Sequence, residues 1–367
     1  MARQVNKDFH DKVLIGVMKM YGMFFRRLLP LLVLVCMIMP TSGQDLPPPV
    51  ITGDPDFISP DAVLELLVNG SELGTSLPGD VALGCDSQVY FSDITFSNRP
   101  ESFDARGMRR AGAIWRYDPE TADISVFRSP SGMANGLAFD AACQLLVAEG
   151  ADLGGRRVTR TNLQNGTADI AASLFEDSPF NAPNDLVIDL QGCIYFTDTR
   201  YVGHEPLWQD SNAVDRIDLD DAIIRMIANL PRPNGIALSP DQSTLYVSNP
   251  GGALNDSLWA YTLLDDGSAS TPRLIVDFGD QSGADEFVVD IEGNLWVSVL
   301  NRNRPGVYAY TPDGVEKAYI EVQSPYNTGF GHGVQSHMLY VTAGRNLYRI
   351  AVNKQGYHLP PIEQPAR

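Results

Sequence analysis

The stretch Asn184-Asp-Leu-Val-Ile-Asp189, followed by Ile194-Tyr-Phe-Thr-Asp198, returns roughly fifty residues later as Asn234-Gly-Ile-Ala-Leu-Ser239 and Leu245-Tyr-Val-Ser-Asn249. Working outward, the same two-part unit stands upstream as Asn135-Gly-Leu-Ala-Phe-Asp140 with Leu145-Leu-Val-Ala-Glu149, and as Gly79-Asp-Val-Ala-Leu-Gly84 with Val89-Tyr-Phe-Ser-Asp93. Downstream it becomes Asp285-Glu-Phe-Val-Val-Asp290 with Leu295-Trp-Val-Ser-Val299, then a degenerate sixth copy, Gly329-Phe-Gly-His332 with Leu339-Tyr-Val-Thr342. Each unit is a short apolar strand, a polar or Gly-containing turn, and a second strand rich in β-branched and aromatic residues. Third strands such as Ile114-Trp-Arg-Tyr117 and Val307-Tyr-Ala-Tyr310 follow, and fourth strands such as Leu274-Ile-Val-Asp-Phe278. Six repeats of four strands read as an all-β, six-bladed β-propeller. A two-sheet sandwich fits the regular spacing less well. The last copy ends at Leu347-Tyr-Arg-Ile350 without a clear fourth strand, and Ala62-Val-Leu-Glu-Leu-Leu-Val68 is available to supply it.

The flanks divide accordingly. Residues 1–43 read as a signal peptide with a possible upstream extension: Arg26 and Arg27 precede an apolar run over 28–39, and Thr41-Ser42-Gly43 offers a cleavage site. The run is short for a membrane span, and an uncleaved anchor is the alternative. Residues 44–60 are a Pro-rich lead-in arm, 61–358 the propeller and 359–367 a tail. A secreted or periplasmic protein is expected, with no membrane association once the signal is removed. The chain of 367 residues carries a formal net charge of −18, which argues against nucleic acid as a partner. Nothing in the composition separates a monomer from a small homo-oligomer. Cys85, Cys143 and Cys193 remain after the signal, and buried thiols are the expectation, with a Cys143–Cys193 bridge as the alternative.

In a propeller the innermost strands run along a central channel, so equivalent repeat positions face one axis. Asn135, Asn184, Asn234 and Asp285 occupy one such position in four consecutive units. Asn ahead of Gly or Asp is ordinary turn chemistry when it occurs once. In register, these side chains offer the oxygen donors that Ca²⁺ prefers.

These motifs also carry a resemblance. Ala182-Pro-Asn-Asp-Leu-Val-Ile-Asp189, Tyr195-Phe-Thr-Asp-Thr199, Arg232-Pro-Asn-Gly-Ile-Ala-Leu-Ser-Pro-Asp241 and Val289-Asp-Ile-Glu-Gly-Asn-Leu-Trp296 resemble the senescence-marker-protein/gluconolactonase family of propeller lactonases, over about 79–350. The resemblance implies a metal-dependent hydrolase of a small lactone, with Ca²⁺ or another divalent cation such as Zn²⁺, Mn²⁺ or Mg²⁺ polarising the carbonyl. It implies Asn184, Asn234 and Asp285 as metal ligands, with Asp285 also activating water. The family's fourth ligand is a first-blade Glu, where this chain has Gly79 followed by Asp80; Asp80 is the candidate replacement, although one residue out of phase. Glu286 replaces a family Gly and is open to two roles, supplying the missing carboxylate or lying at the rim beside substrate. His332 is the candidate for a second acid–base role. Asn135, Arg200, Tyr201 and His204 are candidates for substrate contacts. A phosphotriesterase or other esterase on the same site, and a non-catalytic ligand-binding propeller, are the competing readings.

Overall fold

The computed structural model describes residues 48–251, 256–280 and 282–360; the expected signal segment lies outside them. The chain forms six antiparallel sheets of four or five strands in sequence order, a six-bladed β-propeller, plus a two-stranded hairpin at Leu174–Phe175 and Ser178–Pro179. The inner strands are Pro78–Leu83, Ala134–Phe139, Pro183–Ile188, Ile236–Leu238, Ala284–Val289 and Pro325–Phe330. Each pairs with the strand that follows it, from Val89–Asp93 in blade 1 to Met338–Ala343 in blade 6. Apolar side chains from neighbouring blades meet between the sheets, where Trp296, Tyr90, Phe91 and Phe196 are fully buried. Among the described residues no helix is long and apolar enough to cross a membrane.

The ring joins its ends through blade 6. Glu65–Val68 pairs with Asn346–Ala351 in the register Glu65↔Arg349, Leu66↔Tyr348 and Val68↔Leu347. Arg349 reinforces the seam with a 2.7 Å contact to the Glu65 carboxylate. The lead-in contains a strand of its own: Ile51–Gly53 adds to the outer edge of blade 5, opposite Ala318 to Ile320. That edge would otherwise present unpaired backbone groups.

Most inner strands slip register near their start, between Pro78 and Val81, Ala134 and Leu137, Pro183 and Leu186, Ala284 and Phe287, and Pro325 and Asn327. The bulge frees backbone groups that need other partners. Second-strand hydroxyls supply them. Ser92, Thr197, Ser248 and Thr342 accept from the N–H groups of Asp80, Asp185, Gly235 and Asn327 at 2.8–3.1 Å. Three of these hydroxyls also donate to the next blade: Thr197 to the Asn234 carbonyl, Ser248 to that of Asp285 and Thr342 to that of Gly79, at 2.5–2.7 Å. The Ser or Thr that ends the Tyr-Phe-Thr197, Tyr-Val-Ser248 and Tyr-Val-Thr342 motifs thus ties blade to blade. Asp93 and Asp198 instead cap their own blade's entry, Asp93 accepting from Ser76 and Leu77 and Asp198 from Asn181 and Ala182.

The cysteine expectation is corrected. Cys85 and Cys143 form a disulfide with a Cα–Cα distance of 5.9 Å, joining the inner turns of blades 1 and 2, and Cys193 is a half-buried free thiol. Turn phase explains the choice. Cys143 sits two residues before its second strand with φ 59°, whereas Cys193 immediately precedes Ile194 and packs against the core between blades 3 and 4.

The C-terminal segment crosses one end of the channel. Gln355 accepts from Ile291 N–H at 2.9 Å and Tyr357 N–H donates to Val289 at 3.0 Å. The Tyr357 hydroxyl meets Gln242 Nε2 at 3.1 Å, and Leu359 packs on the core between blades 2 and 3.

Candidate functional site

At the other end of the channel lies a cavity of about 370 Å³, within the usual range for small-molecule sites. The same repeat position in all six blades lines it: Gly79, Asn135, Asn184, Asn234, Asp285 and Tyr326. Equal repeat position has become convergence on one axis. The bulge sets it up, because local twist turns these side chains into the mouth instead of into a blade interface.

Two amide oxygens here are buried and have no hydrogen-bond partner among the described residues, Oδ1 of Asn184 and Oδ1 of Asn234. Asn234 spends its other polar atom on Asp285, Nδ2 donating to Oδ1 at 2.5 Å. The half-buried Asp285 keeps Oδ2 without a hydrogen bond among the described residues. Burial pushes its carboxyl up to about 7, against the lowering effect of the Asn234 amide. Two orphaned amide oxygens and a carboxylate are a hard-oxygen donor set, and they fit a divalent cation such as Ca²⁺. Among the described residues no three His, Cys, Asp or Glu side chains cluster as a metal site, so any such site depends on the amides.

The other candidates divide between this mouth and elsewhere. Tyr201 lines the mouth, its hydroxyl donating to the Arg232 carbonyl at 3.1 Å while the Arg232 guanidinium stacks on its ring at 4.6 Å. Burial, with Asp285 nearby, drives its hydroxyl far above the ordinary phenol range and keeps it protonated. Arg200 does not reach the cavity. Its guanidinium is consumed by the carbonyls of Asn181 and Glu205 at 2.6–3.0 Å, holding the connection after blade 3. His204 is exposed on that connection and lines no part of the mouth.

Asp80 and His332 are corrected. Asp80 lies one residue past the mouth position, and its carboxylate accepts from its neighbour Val81 at 2.6 Å, from Leu137 N–H of blade 2 and from Asn327 Nδ2. It is a clamp between blades 1 and 2. Asp185 does the same for blades 3 and 4, taking Leu186 N–H at 2.7 Å and Ile236 N–H at 2.8 Å. His332 sits at the opposite end of the channel, its ring 4.8 Å from that of His358. The 3₁₀ turn Gly333–Gln335 adds three residues between the first and second strands of blade 6. Counting back from Leu339 by the period of the other blades therefore lands at Gly329, while the mouth residue is Tyr326.

Sequence reasoning missed Arg232 and Tyr326 as lining residues. Arg232 was within reach, because it opens the quoted Arg232-Pro-Asn-Gly motif.

The fold and the mouth define a class: a six-bladed propeller with an oxygen-rich cavity at one end of its channel. Comparison with known proteins then fixes the family. Residues 103–345 match the SMP-30/Gluconolactonase/LRE-like region, and the chain belongs to that family. It is 29% identical over 329 residues to a gluconolactonase of Zymomonas mobilis, covering 79% of this chain and 89% of that one. A solved gluconolactonase from Xanthomonas campestris superposes with a TM-score of 0.70 at 25% identity, over 84% of this chain and 96% of the other. The calcium-binding protein regucalcin from Agrobacterium tumefaciens shares the fold, with a TM-score of 0.63 at 17% identity over 82% of this chain and 97% of its own.

Proposed function

We propose that this protein hydrolyses a small lactone at the channel mouth, with a divalent cation, Ca²⁺ first among the candidates, held by Asn184, Asn234 and Asp285. The observation that carries the reading is the pair of buried, unpartnered Oδ1 atoms of Asn184 and Asn234 beside Asp285, in a family of lactonases. Burying polar atoms without partners is costly, and a cation removes that cost. When bound, the cation supplies Lewis-acid polarisation of a carbonyl and stabilises developing negative charge on its oxygen. Asp285 Oδ2 takes the proton of the attacking water, with Oδ1 fixed by Asn234. Asn135 and Tyr201 shape the mouth around the substrate's hydroxyl groups, Tyr201 being anchored through Arg232. Export to an oxidising compartment accompanies this reading, supported by the apolar run over 28–39 and the Cys85–Cys143 bridge.

Metal analysis of purified protein and a panel of sugar and aliphatic lactones test the function together. Bound cation and hydrolysis abolished by a chelator are the expected results. A chain that binds no cation at millimolar Ca²⁺ and turns over no lactone is a ligand-binding propeller instead.

A further inference from the structure

We infer that Glu286 is the second carboxylate of the cation site, entering from one layer below the mouth in place of the first-blade Glu that Gly79 lacks. The inference rests on the proposed cation at Asn184, Asn234 and Asp285, and it concerns a residue specific to this chain.

The residues one step past the mouth form a second layer: Asp80, Gly136, Asp185, Gly235, Glu286 and Asn327 in blades 1 to 6. The two glycines are sterically required, since a Cβ at Gly136 or Gly235 would lie 2.7 Å from the inner-strand backbone of the next blade. Asp80 and Asp185 are occupied in clamping Leu137 and Ile236 of the following blades. By the same logic Glu286 should take the N–H of Thr328 in blade 6. It does not, because Asn327 Oδ1 already accepts from Thr328. Glu286 is one methylene longer than its counterparts, is 3% exposed, and its Oε2 has no hydrogen-bond partner among the described residues. It also differs from them in what it lines: Asp80, Asp185 and Asn327 line the cavity at the far end, whereas Glu286 lines the mouth together with Asn184, Asn234 and Asp285, its carboxyl feeling Asp185 and Asp80 as well as Asp285.

Charge points the same way. Four carboxyl groups act on one another here, Asp80, Asp185, Asp285 and Glu286, and no basic side chain is among the principal influences on any of them. An unpaired buried carboxylate is expensive. A dication facing Asp285 and Glu286 neutralises two of the four, and Ca²⁺ sites gain affinity with ligand charge. Gly79 cannot be the source of that charge, and its space is taken: a Cβ there would lie 2.4 Å from Asn135 Oδ1.

The test is calorimetric titration of Ca²⁺ into chelator-stripped protein, with the Ca²⁺-induced rise in melting temperature as a second readout. Glu286→Gln keeps the shape and removes the charge, and should weaken Ca²⁺ binding at least tenfold and shrink the thermal shift. Should the Gln variant fail to fold, Glu286→Gly, which leaves the far-end clamps untouched, carries the same expectation. A Glu286 variant that binds Ca²⁺ as tightly as the parent, while Asp285→Asn loses binding, overturns the role of Glu286 and leaves the cation site standing. A parent that binds no Ca²⁺ overturns both.

Discussion

Replacing Gly79 with the Glu that the family resemblance implies there looks from sequence like a repair, and the structure says it is an injury. The Cβ that any side chain brings would lie 2.4 Å from Asn135 Oδ1, 2.8 Å from Ser92 Oγ and 3.0 Å from Ile94 Cδ1. The Asn135 amide must leave the position it holds. Ser92 cannot do so freely, because its hydroxyl accepts from Asp80 N–H at 3.0 Å. Overpacking of this kind costs about 1–3 kcal/mol. A domain of this size loses about 2–4 °C of melting temperature per kcal/mol, so Gly79→Glu should melt about 2–12 °C below the parent in chelator. Asn135→Ala opens part of the space. Combined with Gly79→Glu it should recover a measurable share of the loss, so that a double-mutant cycle gives a coupling of about 0.5 kcal/mol or more. Thermal melts of the four proteins decide the matter. A Gly79→Glu protein as stable as the parent, or additivity within error, would show that Asn135 does not fill the vacated space.

Asp285→Asn keeps the hydrogen bond from Asn234 in reach but removes a charge and a base; lactone hydrolysis should fall at least a hundredfold and Ca²⁺ affinity at least tenfold, read by initial rates and calorimetry. The Cys85–Cys143 bridge closes a sequence separation of 58, for which chain entropy gives about 4 kcal/mol. Cys85→Ser with Cys143→Ser should lower stability towards that figure, and reductant should destabilise the parent but not the double variant in denaturant melts. Burial pushes Asp198 up to about 7, so its contribution to stability is complete below the unfolded carboxyl value and is lost as pH rises through 7. In metal-free buffer the parent should therefore lose stability between about pH 4 and 7 more steeply than Asp198→Asn, and equal slopes would exclude Asp198 as a contributor.

The repeat made the ring legible, because each blade restates one apolar–turn–apolar sentence. Asn184, Asn234 and Asp285 were legible for the same reason: repeat position is geometry in a closed ring. What failed was whatever depends on an insertion or on the neighbouring blade. Three residues at Gly333–Gln335 shifted the sixth repeat and brought His332 forward as a catalytic candidate. Asp80 looked like a displaced ligand because its partner, Leu137 N–H, lies far along the chain and carries no side-chain signature. Ile51–Gly53 follows three prolines and has too few residues for an alternating pattern, so only the open edge of blade 5 gives it a reason to be a strand. Arg200 had the charge of a substrate contact, and two backbone carbonyls claimed it first.

The segment Tyr357 to Leu359 lines a second cavity at the channel end opposite the mouth. A product formed at the mouth has the mouth itself as its nearest exit. Opening a lactone turns a neutral ring into a hydroxy acid anion, and that anion forms inside a protein of net charge −18. The same field that draws a cation inward pushes the anion out, with a reach set by the Debye length of about 8 Å at physiological salt. Raising ionic strength should therefore strengthen competitive inhibition by the product, and inhibition indifferent to salt would mean that the exit is governed by contacts and not by charge.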